Sequence, residues 1–163
     1  MAYTILDQRL GMQPIAETST VKTCGLGTIV TAEDPTYGVG EFIYLLGLAS
    51  TAIGSWVTFN ADDNSTALLA ANAIGPVAVS MSANVASQYG WYQISGKAIG
   101  LCLAGFADNA NVYATSTAGS VDDAVVAGDR VKNAKGASAI GVPSGSFAEF
   151  EIQRPFMDDG VAA

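Results

Sequence analysis

The sequence predicts an all-β fold: a small β-barrel or β-sandwich with an extended N-terminal arm and at most one short helix. Three observations predict it. Short β-branched or aromatic runs recur along the chain, many of them alternating with period two. Gly, Pro, Asn and Asp clusters punctuate these runs. Small residues dominate, with 18 glycines in 163 residues, a composition that suits tightly turning strands better than long helices. Alternation of this kind is common to sandwich and barrel, so the two stay open.

Residues 1–25 read as the arm and residues 26–163 as the β-rich domain. "MAYTILDQRLGMQPIAETSTVKTCG" has apolar side chains at irregular spacing, and Pro14 would end any helix begun at Thr4. Tyr3, Ile5, Leu6, Leu10, Met12 and Ile15 make it richer in apolar groups than a disordered tail, which points to docking.

From Gly27 strands take over. "GTIVTAED" is a β-branched run closed by acids, and Pro35 to Gly40 is a turn or bulge. In "EFIYLLGL", Phe42, Tyr44, Leu46 and Leu48 share one face, with Ile43 and Leu45 on the other, so the strand is expected to be covered on both sides. "SWVTFN" follows, then a turn at Asp62 to Ser65. "TALLAANAIG" has helical content but is short and stops at Gly75-Pro76. "PVAVSMS" puts Val77, Val79 and Met81 on one face. "YGWYQISGKAIGLCLAG" supplies one or two strands, broken at Gly96 and Gly100. "NVYATST" and "DRVKNAK" are further strands. In the last, "SFAEFEIQRPF", Ala148, Phe150 and Ile152 face in while Glu149 and Glu151 face out.

Composition narrows the function. Half the chain is hydrophobic and only 13% charged, little for a free monomer, so weakly polar surface is expected to lie against something else. Net charge is −8 and the seven basic residues are scattered, which argues against nucleic acid and anionic membrane as partners. No apolar run reaches the roughly 20 residues of a membrane span, and the N-terminus lacks the pattern of a signal peptide. Cys24 and Cys102 are too few for a disulfide framework; one structural bridge between them stays open, with two buried thiols the favoured reading.

Reaction chemistry finds little to use. There is no histidine, hence no Ser-His-Asp or Cys-His arrangement, and the commonest general base and commonest transition-metal ligand are both missing. No GxxxxGK[ST] occurs. "ADDNS" and "ADNAN" offer oxygen atoms to a cation, yet Asx-rich turns look the same. Two carboxylates across a cleft would suffice for a glycosidase, but acids in β proteins are ordinarily solvated turn residues. The reading is a protein that is not an enzyme and carries no cofactor and no metal. Tyr37, Tyr89, Trp91 and Tyr92 are the aromatic candidates for a subunit interface. The last three are also the candidates for a carbohydrate-stacking platform, with the interface the favoured reading.

The order "YGVGEFIYLLGLASTAIGSWVTFN", "GPVAVSMSANVASQYGWYQISGKA", "NVYATSTAGSVDDAVVAGDRV" and "EIQRPF" resembles the decoration, or cement, proteins of tailed-bacteriophage capsids, over roughly residues 27–157. The resemblance implies a non-enzymatic β-rich subunit, often trimeric, on the outer capsid surface at local threefold positions. It would be made in the host cytoplasm and bind the major capsid protein. Tyr3, Ile5, Leu6, Leu10, Met12 and Ile15 would then be a capsid-docking strap. The alternative is a carbohydrate- or receptor-binding module displayed on a virion.

Overall fold

The computed structural model describes residues 2–6 and 11–157. Twelve strands and no helix occur among these residues: β1 (Thr4–Ile5), β2 (Thr18–Ser19), β3 (Ile29–Asp34), β4 (Gly38–Leu46), β5 (Trp56–Phe59), β6 (Thr66–Leu68), β7 (Val77–Ser80), β8 (Tyr89–Leu101), β9 (Asn111–Ala114), β10 (Val121–Asp122), β11 (Arg130–Gly136) and β12 (Phe147–Met157). All ladders between them are antiparallel, in the order β1-β3-β4-β8-β12-β11-β9-β10, with β2, β5, β6 and β7 attached off this path. The fold is all-β. One isolated parallel bridge joins Val121 of β10 to Cys102, just past β8, and Leu103 N–H donates to the Val121 carbonyl over 2.9 Å. The strand path thus turns back towards its own middle through a single bridge and not through a ladder.

The hairpin between β3 and β4 explains why an apolar strand follows "DPTYG". Asp34 Oδ1 accepts the backbone N–H groups of Thr36 (2.8 Å) and Tyr37 (3.0 Å), and Oδ2 accepts that of Ala2 (2.5 Å). Gly38, at φ 74°, closes the three-residue loop in the left-handed region that only Gly enters freely. Burial of Asp34 works against its charge, but the three N–H donors outweigh it and hold the carboxyl below its ordinary pKa.

Past this turn β4 is apolar on both faces because both are covered. Phe42 and Tyr44 pack with Ile15, Val30, Ala32, Met81 and Trp91. Ile43 and Leu45 pack on the opposite side with Val57, Ala78, Tyr92 and Ile94. A third cluster, around Trp56, Phe106 and Phe150, fills the region between β5, β7, β8, β9, β11 and β12. The Trp56 and Phe150 rings meet edge-on there at 4.9 Å.

Three sequence expectations change. The stretch from Tyr89 to Leu101 is one strand of 13 residues, unbroken at either glycine. Gly96, at φ 99°, lies where β8 passes from β4 to β12, and a Cβ there would come within 2.6 Å of the Val39 carbonyl oxygen. At Gly100 a Cβ would meet Trp56 Nε1 at 2.5 Å. Both glycines allow close approach instead of breaking the strand.

Val77 and Val79 enter the Trp56 cluster, but Met81 lies beyond the end of β7 and packs with Phe42 and Trp91. "TALLAANAIG" contains only the short strand β6. Its remainder is held as loop by Ala71 N–H to the Thr115 carbonyl (3.1 Å) and Asn72 N–H to Asp129 Oδ1 (2.5 Å), so tertiary bonds override helix propensity.

Ala148, Phe150 and Ile152 of β12 face inward, at 0–3% exposure. No disulfide joins the cysteines: Cys102 is buried in the Trp56 cluster, whereas Cys24 packs half-buried against the Phe42 cluster. Burial, with Asp122 and Asp123 nearby, pushes the Cys102 thiol up to about 11.

Candidate functional site

The arm residues pack mostly against this chain's own sheet. Ile15 is fully buried, and Met12, Ile5 and Tyr3 rest half-buried on the same cluster. Full burial of a side chain such as Ile15 contributes about 2 kcal/mol. The Tyr3 ring stands edge-on to Phe42 at 4.8 Å, and its hydroxyl donates to the Lys97 carbonyl over 3.2 Å. Burial and the neighbouring Asp34 carboxylate raise the Tyr3 phenol to about 12. Leu6 is 54% exposed, and Leu10 lies outside the described residues. Of the six residues assigned to a docking strap, Leu6 is the only described one that is freely exposed.

The aromatic candidates separate in the same way. Trp91 and Tyr92 are both fully buried within the chain, on opposite faces of β8. Trp91 tilts against Tyr44 at 4.9 Å, and the Tyr92 hydroxyl accepts from Asn84 Nδ2 at 3.0 Å, its phenol pKa raised by burial. Neither offers surface to a neighbouring subunit or to a sugar, which corrects the sequence expectation. The alternation of β8 could not distinguish a strand with one covered face from a strand with two. Tyr89 is half-buried and stacks on Tyr44 at 6.3 Å, while Tyr37 is half-buried with Lys97 Nζ 5.9 Å from its ring centre.

One surface feature was not singled out by sequence. It is an apolar groove of about 300 Å³ lined by Ile29, Ile43, Phe59, Pro76, Val77, Ile94, Arg154, Pro155 and Phe156. Ile43 and Ile94 are almost fully covered at its base, whereas Ile29 and Phe156 remain 39% and 47% exposed. A bulge in β12 creates this arrangement. Ala134 pairs with Ile152 and Lys132 with Phe156, so β12 advances four residues while β11 advances two. Arg154 absorbs the difference at φ 47°. Strict alternation from Ala148 through Ile152 would turn Phe156 inward. The bulge instead buries Pro155 and Met157 and leaves Phe156 outside. Pro155 was the available sequence signal, because proline inside a strand pattern marks an edge or a bulge.

At the groove's rim Arg154 Nη2 donates to both Glu41 oxygens, at 3.1 and 3.3 Å. Lys97–Glu149 (2.6 Å) and Lys135–Glu151 (3.2 Å) are further surface pairs.

Among the described residues no three Asp, Glu or Cys side chains gather as a metal-binding group. In "ADDNS", Asp63 Oδ1 is taken by Ser65 N–H (3.0 Å) and Ser65 Oγ (2.7 Å), which accounts for that turn as an Asx motif. Among the described residues no helix is long and apolar enough to cross a membrane.

Comparison of the chain with family models, with curated proteins and with solved structures found no significant match.

Proposed function

We propose that this chain is a structural decoration protein, a cement subunit that docks on the outer surface of a tailed-phage head. In this reading it acts as a homotrimer at local threefold positions and binds the major capsid protein. The observation that carries the reading is the groove between Ile29 and Phe156. Its exposed apolar rim over an apolar base costs free energy in water, and covering it would recover that cost, as at contact surfaces. The segment order that resembles the cement proteins, the acidic balance and the low charge fraction support the same reading. A carbohydrate-binding module would need exposed rings, and Trp91 and Tyr92 supply none.

Such a subunit works by mass action. Binding only the assembled, expanded shell stabilises that state over disrupted ones, and many weak contacts on one particle add through avidity.

The test is co-sedimentation of the full chain with expanded, undecorated heads of the virus that encodes it, alongside its mass in solution. Saturable binding at one trimer per local threefold position supports the reading. Failure of the wild-type chain to sediment with the heads sinks it.

A further inference from the structure

A second cleft, sharing no lining residue with the apolar groove, opens where β9 and β11 lose register. From Arg130 to Lys135 β11 advances five residues, while its partner β9 moves two, from Tyr113 to Asn111. With Asn133 at φ 60° the surplus interrupts the ladder beside a cleft of about 540 Å³. Arg130, Lys135, Asn111, Asn133, Glu151 and Gln153 line it.

The charges within it are unevenly matched. Lys135 Nζ lies 3.2 Å from Glu151 Oε2 and also donates to Asn109 Oδ1, so the acid of the lining is already neutralised. Arg130 Nη2 donates to Asn111 Oδ1 over 2.9 Å, which orients the guanidinium. Among the described residues Arg130 has no carboxylate partner, although the chain carries a net charge of −8 and Lys97, Lys135 and Arg154 each have one. Gln153 Oε1 accepts from Ser95 Oγ at 3.1 Å, a bond that fixes the amide and leaves its NH₂ to donate. An oriented guanidinium beside amide donors matches the two oxygens of a carboxylate or phosphate, which it grips through paired hydrogen bonds.

We infer that this cleft is an oxyanion-binding site, with Arg130 as its anchor and Asn111 as the residue that positions it. The oxyanion comes either from a free small anion or from an acidic side chain of a partner protein. The chemistry is the same for both.

The experiment is an NMR titration of the full ¹⁵N-labelled chain at constant ionic strength, with sodium acetate, sodium phosphate and an oligo-aspartate peptide as separate probes and chloride as reference. Saturable shifts at the amides of Asn111, Asn133 and Gln153 are expected. Arg130→Gln weakens the binding about tenfold or more, given one lost charge-assisted pair. Asn111→Ala weakens it less, and Lys22→Gln, an exposed cation outside the cleft, leaves it unchanged. Saturation by acetate or phosphate assigns the site to free anions, and saturation by the peptide alone assigns it to a protein's acidic segment. A linear response of the wild-type chain to all three probes overturns the inference, as does undiminished binding by a folded Arg130→Gln chain.

Discussion

The Tyr44 hydroxyl donates to Gln13 Oε1 over 2.8 Å, inside the fold and across 31 residues of sequence. The same Gln13 donates through Nε2 to the carbonyls of Glu17 (2.9 Å) and Tyr89 (3.0 Å), and its own carbonyl accepts Trp91 Nε1 at 3.0 Å. One glutamine therefore ties the N-terminal segment to β4 and β8. Gln13→Ala leaves buried groups without partners and is expected to cost about 2–3 kcal/mol. Urea unfolding measures it, and a loss below about 0.5 kcal/mol would show that water replaces these bonds at little cost.

Gly96→Ala tests the change of partner in β8. The substitution forces a side chain into φ 99° and against the Val39 carbonyl, at a cost of about 3 kcal/mol. Thermal unfolding should show a clear fall in Tm. An unchanged Tm would mean that β8 can bend elsewhere.

Phe156→Ser separates binding from folding. The side chain is half in water, so stability should change by less than about 1 kcal/mol, while co-sedimentation with heads weakens severalfold or more. Undiminished binding by this variant and by Ile29→Ser would remove the groove from the docking surface.

Asp34 gives the fold a defined acid sensitivity. Its folded pKa lies below the unfolded value of about 3.9, so its contribution is fully present above that value and disappears as pH falls through the lower, folded pKa. Asp34→Ala should lower stability by about 2 kcal/mol at neutral pH and flatten the acid side of the stability profile. Urea midpoints across the acid range check this. A parallel loss at every pH would show that the carboxylate's charge plays no part.

The fold class was legible in sequence because short alternating runs and turn residues are local signals. So was the two-faced burial of β4, since Phe42 and Tyr44 alternate with Ile43 and Leu45 along one strand. The continuity of β8 was not: Gly96 and Gly100 look like breaks until Val39 and Trp56 are known to press against them. The burial of Trp91 and Tyr92 depends on which elements cover each face of β8, a long-range fact with no local trace. The groove stayed hidden for a related reason. Phe156 has the same parity as Phe150, and only the one-residue change of phase at Arg154, where Gln153 and Arg154 are both exposed in succession, moves it to the outside.

Gln13 also imposes an order in time. It is synthesised 78 residues before Trp91, whose indole takes its carbonyl, and 76 before Tyr89, whose carbonyl takes its amide. While the chain is still being translated, the segment carrying Met12 and Ile15 has no finished surface to settle on. Val30, Ala32, Phe42 and Tyr44 can cover part of those side chains early, but the cover is complete only once Met81 and Trp91 have left the ribosome, and for that interval the nascent chain is open to mispairing with its neighbours. The segment made early thus waits for β8 before its last bonds can close.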